Sequence, residues 1–283
     1  MNITTLFETI DADKSVHSCS DTRYKDLKQE ANKLMNEIFG DNRSQTANFP
    51  DIGTISLPYF KMGNIDSVNL FDLDELIIFS IYKKACKTYK KCIDVGANIG
   101  LHSIIMGKLG MDVVSYEPDP VHYSKLKENI SINKVESRVI PQKAAVSNKS
   151  GKAQFTRVLG NTTGSHLSGA KQDVYGELET FEVEVASINT ALENIDMMKL
   201  DAEGEEKNIL MAIDKTHWES LDVIAEIGSV NNSKQIFEYL KENQINIFAQ
   251  KFAWEKIETP EQMPRSYKEG SVFISKKDLM PWI

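Results

Sequence analysis

The segment Cys92-Ile93-Asp94-Val95-Gly96-Ala97-Asn98-Ile99-Gly100-Leu101 organises the interpretation of this chain. Two apolar residues flank Asp94, which predicts a buried strand. Gly96 and Gly100 allow a sharp turn and close approach of a ligand to the backbone. Apolar residues then recur at helical spacing. In open α/β sheets, nucleotide-type cofactors bind at such turns, beyond the carboxyl ends of the strands.

Composition limits the classes of protein that fit. The 283 residues, 41% hydrophobic and 26% charged, suit one large α/β domain with an extension. A net charge of −8 makes a general nucleic-acid binder a poor candidate, so no nucleic-acid partner is expected. Three cysteines without a C-x-x-C motif suggest a reducing compartment. We expect a cytoplasmic protein without an integral membrane segment, because neither a signal peptide nor a run of about 20 apolar residues is seen.

The chain before the key strand predicts an N-terminal extension of residues 1–70. Helical periodicity ends near Gly40, and residues 52–57 with 59–62 suggest a hairpin or lid. A helix is predicted to begin at Asp72. The acidic residues in its first turn interact favourably with the helix dipole. We expect the extension to cap the substrate site or to form a contact in a homodimer, and residues 71–283 to form the main domain.

After the key strand, strands alternate with helices, which predicts an α/β fold. The hairpin-like pieces at 153–158 and 181–185 interrupt this alternation, separated by the Gly/Ser/Thr-rich loop 160–169. The other predicted strands are 112–117, 138–146, 197–201, 221–227, 245–252 and 271–275.

The turn itself discriminates between cofactors. A dinucleotide fingerprint needs a glycine where this chain has Asn98, and Asp94 would repel a pyrophosphate. S-adenosylmethionine carries an ammonium and a sulfonium, which a carboxylate attracts. An NAD-dependent sugar oxidoreductase or epimerase is the alternative enzyme, but no Tyr-x-x-x-Lys pair follows the fourth strand. An ordinary turn with an incidental aspartate is the remaining interpretation.

Glu117 ends the second predicted strand, 23 residues after Asp94. This is close to the spacing of about 20 residues at which an acid binds ribose hydroxyls. A solvated charge at a strand end is the alternative.

Three motifs together resemble the FkbM family of S-adenosylmethionine-dependent methyltransferases. They are Asp-Val-Gly-Ala-Asn-Ile-Gly from Asp94, Tyr-Glu-Pro-Asp-Pro from Tyr116, and Lys-Leu-Asp-Ala-Glu-Gly-Glu-Glu from Lys199. The resemblance covers about residues 70–275. It implies a class I methyltransferase, Rossmann-like fold, with a seven-stranded, mostly parallel sheet in the order 3-2-1-4-5-7-6, and methyl transfer to a hydroxyl, often of a sugar. The expected cofactor-binding residues are Asp94, Gly96, Ala97, Asn98, Gly100, Glu117, Pro118, Ala144 and Asp201.

Two acids, Asp201 and Glu203, follow the fourth predicted strand, beside the cofactor crevice. Asp201 is a candidate general base, cation ligand or cofactor-orienting group, and Glu203 a further catalytic candidate. Capping of the next helix is the alternative role for both. Glu226, at the end of the fifth strand, would join Asp201 in holding a divalent metal, although no metal is expected.

The loop Gly160–Ser168 resembles the family's Ser/Thr-rich loop after the third strand. Its hydroxyls suit a polyhydroxylated acceptor, and His166 is a plausible base at neutral pH. An exposed histidine on a mobile surface loop is the alternative. Asp201 and then His166 are the two base candidates.

These observations predict an S-adenosylmethionine-dependent O-methyltransferase. Its acceptor would be a small molecule, a sugar or a glycan, as in polysaccharide or glycolipid biosynthesis. The enzyme would mainly position the reactants and supply a base, since the cofactor carries the activated methyl group. A cofactor-binding protein without turnover is the non-enzymatic alternative. Methylation of protein or nucleic acid is disfavoured by the acidic charge balance.

Overall fold

The computed structural model describes residues 1–171 and 176–280. Its helices are α1 (Ile3–Ala12), α2 (Thr22–Phe39), α3 (Leu73–Ala85), α4 (Leu101–Lys108), α5 (Pro120–Ile132), α6 (Ile188–Ala191), α7 (Glu206–Ala212) and α8 (Val230–Glu242). Its strands are β1 (Thr46–Phe49), β2 (Gly53–Ser56), β3 (Lys61–Met62), β4 (Ile65–Asp66), β5 (Lys91–Val95), β6 (Asp112–Tyr116), β7 (Val139–Gln142), β8 (Ala145–Ser147), β9 (Gly151–Val158), β10 (His166–Leu167), β11 (Leu178–Ser187), β12 (Met197–Leu200), β13 (Asp222–Ala225), β14 (Asn246–Ala249), β15 (Glu255–Lys256) and β16 (Val272–Ser275).

The central sheet has eight strands in the order β15-β14-β16-β13-β12-β5-β6-β7. The five from β13 to β7 are parallel, while β16, β14 and β15 pair antiparallel. The expected count of seven strands was therefore wrong, because the two-residue β15 extends one edge. Without β15, the order read from β7 is third, second, first, fourth, fifth, seventh, sixth along the chain. The carboxyl ends of the parallel strands meet at one edge, which is where ligands bind in such sheets.

A second sheet, in the order β10-β9-β11-β8, stands above that edge. The expected single strand over residues 138–146 was wrong, because this stretch divides into β7 and β8 in different sheets. Pro141, which donates no backbone hydrogen bond, is tolerated in β7 because β7 lies at the sheet edge.

The expected pairing of residues 52–57 with 59–62 was also wrong. Instead β1 pairs with β2, and β3 pairs with β4. The turns fall where the backbone has positive φ: at Asp51 and at Gly53, the first residue of β2, and at Gly63 after β3. Pro58 lies between the two hairpins and outside both.

The hydrophobic core follows from the alternation of side chains along each strand. Cys92 and Met197 face a cluster that includes α1, α2, α3, α4 and the β1–β2 hairpin. Ile93 and Met198 face the opposite cluster, with α7 and α8. The N-terminal extension is therefore continuous with one of the two cores. The predicted helix end near Gly40 is confirmed, since α2 ends at Phe39 and Gly40 is its C-cap.

In the part of the chain that the structure describes, every helix is too short or too polar to cross a bilayer.

Candidate active site

A cavity of about 340 Å³ opens at the carboxyl ends of β5, β6, β12 and β13, beneath the second sheet. This volume lies within the range of small-molecule sites. Six carboxylates are among its lining residues, and no Lys or Arg is found among the described residues that line it. These carboxylates belong to Glu75, Glu117, Asp201, Glu203, Glu205 and Glu226. The cavity therefore favours a cationic ligand.

The turn after β5 forms the floor of this cavity. Gly96 has φ of +81° and its amide donates to the carbonyl oxygen of Tyr116 at 3.1 Å. A Cβ at this position would collide with the carbonyl oxygen of Asp201. Only glycine therefore lets β5 and β12 approach each other closely beneath the cavity. Asn98, which lines the cavity, also has a positive φ, of +53°.

Glu117 is held rigidly at the end of β6. Its Oε2 accepts a hydrogen bond from the Asn98 amide at 2.8 Å, and its Oε1 accepts one from the Asp119 amide at 2.8 Å. Burial, aided by the negative charges of Asp119 and Asp94, raises the pKa of Glu117 to about 8, against the effect of these amides. Each carboxylate oxygen keeps a further acceptor site toward the cavity that Glu117 lines.

Four expected cofactor contacts lie away from the cavity wall. Asp94 is buried behind the turn, where its Oδ2 accepts a hydrogen bond from Ser103 Oγ at 2.5 Å. This corrects the expectation that the carboxylate meets the ligand, because the side chain points toward α4. Ala97 is buried in the core and Gly100 is the N-cap of α4. Ala144 lies in the bend before β8, and its neighbour Ala145 lines the cavity instead.

Asp201 lies at the end of β12, as the sequence predicts. Its Oδ2 accepts a hydrogen bond from Lys199 Nζ at 3.2 Å, while its Oδ1 is buried and has no hydrogen-bond partner. Burial would lower the pKa of Lys199, but Asp201 and Glu226 raise it well above its usual value. Lys199 is thus a permanent buried cation that neutralises part of the acidic cluster.

Glu203 adopts a left-handed conformation, with φ of +52°, beside Asp201. It forms an ion pair with Lys171, while burial and the charge of Asp201 raise the pKa of its carboxyl to about 7. Glu206, the first residue of α7, holds the loop before the helix, because its carboxyl oxygens accept hydrogen bonds from the Ala202 and Gly204 amides. The N-cap residue, Glu205, has no capping hydrogen bond from its side chain. Burial raises the pKa of Glu206 to about 7.

Two more acids, Glu75 and Glu226, line the cavity beside Asp201. Burial would raise the pKa of Glu75, but His102, with Nε2 at 2.9 Å, and Lys199 lower it to about 2. Burial and the charge of Asp201 raise the pKa of Glu226 well above its usual value. The sequence pattern gave Glu75 only a role in the first turn of α3. Its place in the site follows from the packing of α3 beside the turn.

No group of three or more His, Cys, Asp or Glu side chains with the arrangement of a metal site occurs in residues 1–171 and 176–280. The protonated state favoured at Glu226 also makes it a poor cation ligand beside Asp201.

His166 is only 2% exposed and lines the cavity, so the interpretation as an exposed surface histidine was wrong. Its Nδ1 contacts the carbonyl oxygen of Gly164 at 3.0 Å, which requires the proton on Nδ1. Its Nε2 is buried and has no partner. Burial lowers the pKa of His166, so the ring is neutral at physiological pH and Nε2 has a free lone pair.

The roof of the cavity joins the N-terminal extension to the Gly160 loop. The Asn64 amide donates to the carbonyl oxygen of Gly160 at 2.8 Å. Ile65, Asn69 and Leu70 line the cavity from the extension. The sequence suggests that the extension caps the substrate site or contacts a second copy, without naming these residues. It does not predict the contribution of Tyr267 from the far end of the chain.

Among the described residues that line this cavity, four have a buried side-chain atom without a hydrogen-bond partner. Glu75 Oε2 still has the ion pair with His102 Nε2 at 2.9 Å. The other three atoms, Asn98 Oδ1, His166 Nε2 and Asp201 Oδ1, are unpaired. Buried polar atoms are nearly always hydrogen-bonded in folded proteins. Their concentration on one cavity indicates a ligand with polar groups.

Comparison with known proteins agrees with this geometry. The family model described as Methyltransferase FkbM domain matches residues 94–247. Methyltransferase sdnD of Sordaria araneosa is 27% identical over 54% of this chain and 71% of its own length. The 31-O-demethyl-FK506 methyltransferase FkbM of Streptomyces tacrolimicus is 25% identical over 50% of this chain and 66% of its own.

The crystal structure of Methyltransferase FkbM from Methylobacillus flagellatus KT is 15% identical, with a TM-score of 0.41. That match covers 66% of this chain and 43% of that chain. The family model spans more than half of the present chain and contains the turn, Glu117, His166 and Asp201. The chain belongs to the FkbM methyltransferase family.

Proposed function

We propose that this chain is an S-adenosylmethionine-dependent O-methyltransferase that acts on a hydroxyl of a sugar or another small hydroxylated molecule. The observation that carries the proposal is the set of three unpaired buried atoms on a single acidic cavity, above a glycine turn.

The residues present fit the cofactor in both shape and charge. Glu117 offers two fixed carboxylate oxygens to the vicinal hydroxyls of a ribose. Asp201 Oδ1 and Asn98 Oδ1 are acceptors without donors, which suits an ammonium group. Glu75, held ionised by His102, adds negative charge to the same cavity. No Lys or Arg among the described lining residues could neutralise a pyrophosphate, and the ionised Glu75 would repel it, which argues against NAD.

His166 is the better base candidate, ahead of Asp201. When bound, S-adenosylmethionine supplies an activated methyl group. His166 Nε2 then accepts the proton of the acceptor hydroxyl, while Gly164 holds the ring through Nδ1. Asp201 Oδ2 is already occupied by the ion pair with the buried Lys199 at 3.2 Å. We assign Asp201 to cofactor positioning.

The acceptor would enter between the extension and the second sheet. Asn161, Thr162, Thr163 and Ser165 line this side of the cavity with amide and hydroxyl groups. Such groups suit a polyhydroxylated molecule. We propose that Ile65 and Leu70 cap the bound acceptor and help to exclude water.

The direct test is methyl transfer from S-adenosylmethionine to a panel of monosaccharides, glycosides and other alcohols, followed by mass spectrometry. The expected result is a product heavier by one methylene unit, lost in His166→Gln. Cofactor binding without transfer to any member of the panel would favour a binding protein without turnover.

A further inference from the structure

A second cavity, of about 490 Å³, adjoins the first. It lies between the loop after β10, the first turns of α7 and α8, and Tyr267. Its lining combines lysine, amide, hydroxyl and glycine residues, and no Asp or Glu is found among the described residues that line it. The side chains that matter most here are Lys171, Lys207, Asn208, Asn232 and Tyr267.

The two cavities have opposite charge. The first is lined by six carboxylates and the second by two lysines, with none of the opposite sign in the described lining of either. An anionic group would be repelled from the first cavity and attracted to the second. One molecule that reaches both cavities would therefore have a defined orientation.

The two cavities meet at Tyr267, which lines both of them. The ion pair between Lys171 and Glu203 lies beside this tyrosine, because Lys171 Nζ is 5.3 Å from the centre of the Tyr267 ring. Glu203 lines the first cavity and Lys171 lines the second. To reach the second cavity, an acceptor whose reacting hydroxyl is near His166 would pass Tyr267.

Lys207 provides the cation for recognition in the second cavity. Lys171 is neutralised by Glu203, whereas no carboxylate lies within ion-pair distance of Lys207 in residues 1–171 and 176–280. Lys207 is half-buried on the first turn of α7, and the Asn208 and Asn232 amides line the same space. Asn208 Nδ2 donates to Glu205 Oε2 at 3.2 Å and Asn232 Nδ2 donates to the carbonyl oxygen of Gly204 at 3.4 Å, so each amide keeps one further N–H. A lysine that lines a cavity together with two amides suits an oxyanion attached to a hydroxylated molecule.

We propose that the second cavity binds an anionic group, a phosphate or a carboxylate, of the acceptor that is methylated in the first cavity. This inference rests on the proposed function and narrows its acceptor to a hydroxylated molecule that carries an anion. Lys207 is the specificity-determining residue, and Asn208 and Asn232 are supporting donors.

Inorganic phosphate and acetate are suitable probes, because their binding does not depend on sugar stereochemistry. Each is titrated into ¹⁵N-labelled protein saturated with S-adenosylhomocysteine, with chloride at equal ionic strength as the reference. Backbone amide shifts of Gly204 and Asn232 report on the second cavity. We expect saturable shifts with phosphate, acetate or both, and the tighter probe identifies the anion. In Lys207→Gln the affinity should fall about tenfold or more, the effect of one lost charge-assisted hydrogen bond.

The control is Lys33→Gln, which removes an exposed lysine of α2 outside both cavities. Its titration should match that of the original protein. Shifts no larger than those with chloride, or equal anion affinity in Lys207→Gln, would overturn the inference. The titration is repeated without S-adenosylhomocysteine. Failure of S-adenosylhomocysteine to bind would contradict the proposed function. The titration without S-adenosylhomocysteine would still show whether the second cavity binds an anion.

Discussion

At the scale of single residues, the hydrogen bonds of His166 and Asp201 favour a different order of the two base candidates from the order that the sequence suggests. Both line the cavity, as expected for strand-end and loop residues of this family. Their hydrogen bonds distinguish them, because Asp201 is paired with Lys199 and His166 keeps a free Nε2. Sequence spacing predicts that such residues converge but contains no information on which atoms remain unpaired.

Replacement of His166 by Gln should lower kcat by about 10²- to 10⁴-fold, the usual contribution of a general base, with little change in cofactor affinity. The rate of the original enzyme should fall only as the pH drops below the ordinary imidazole pKa of 6.5, because burial lowers the pKa of His166 and the neutral form is active. A pH–rate profile and calorimetry measure both effects.

His217→Gln is the matched control, since His217 lies in the short helix before β13, away from the cavity. Near-normal turnover in His166→Gln would remove His166 from the chemistry and return Asp201 to the role of base.

At the scale of elements, the sequence predicts the strands of the central sheet and the turn after β5 because their apolar runs and glycines are local signals. Prediction from the sequence fails for elements whose partners are not set by local signals. The β7–β8 break and the β3–β4 hairpin depend on which sheet each short strand joins. Glu75 and Tyr267 reach the cavity from α3 and from the far end of the chain, so no motif near the turn could reveal them.

The glycine turn gives a sharp test at this scale. Gly96→Ala should abolish cofactor binding and destabilise the fold, because its φ of +81° is strained for alanine and its Cβ would collide with Asp201. Gly110→Ala is the control. Its φ of +86° imposes similar strain, but a Cβ there meets no atom within 4 Å. It should cost only about 1–2 kcal/mol and leave binding intact.

Urea unfolding and calorimetry separate the two variants. Equal stability and equal cofactor affinity in both would contradict the close approach of β5 and β12 at this turn.

At the scale of the whole molecule, the N-terminal extension is part of the structural core. The rings of Phe39 and Phe71 stack with centroids 4.2 Å apart, and Phe49 lies 6.0 Å from Phe71. All three rings are fully buried. The sequence predicts α2 from its periodicity, but the polar composition of residues 1–45 conceals how completely its apolar face is covered.

Phe39→Ala should lower the free energy of unfolding by about 3–5 kcal/mol, because it leaves a cavity in a buried aromatic cluster. Ile140→Ala, at a side chain that is 57% exposed, should change it by less than about 1 kcal/mol. Chemical denaturation followed by circular dichroism measures both. A small effect of Phe39→Ala would show that the extension folds independently of the core.

The central claim is that the acidic cavity binds S-adenosylmethionine, with Glu117 on the ribose. Isothermal titration of the protein with S-adenosylmethionine and, separately, with NAD tests it most directly, with Glu117→Gln in parallel. We predict saturable 1:1 binding of S-adenosylmethionine and no binding of NAD. In Glu117→Gln the affinity should be at least about tenfold weaker, because an NH₂ group replaces one of the two oxygens that accept hydrogen bonds. Binding of NAD alone, or unchanged S-adenosylmethionine affinity in Glu117→Gln, would contradict the account.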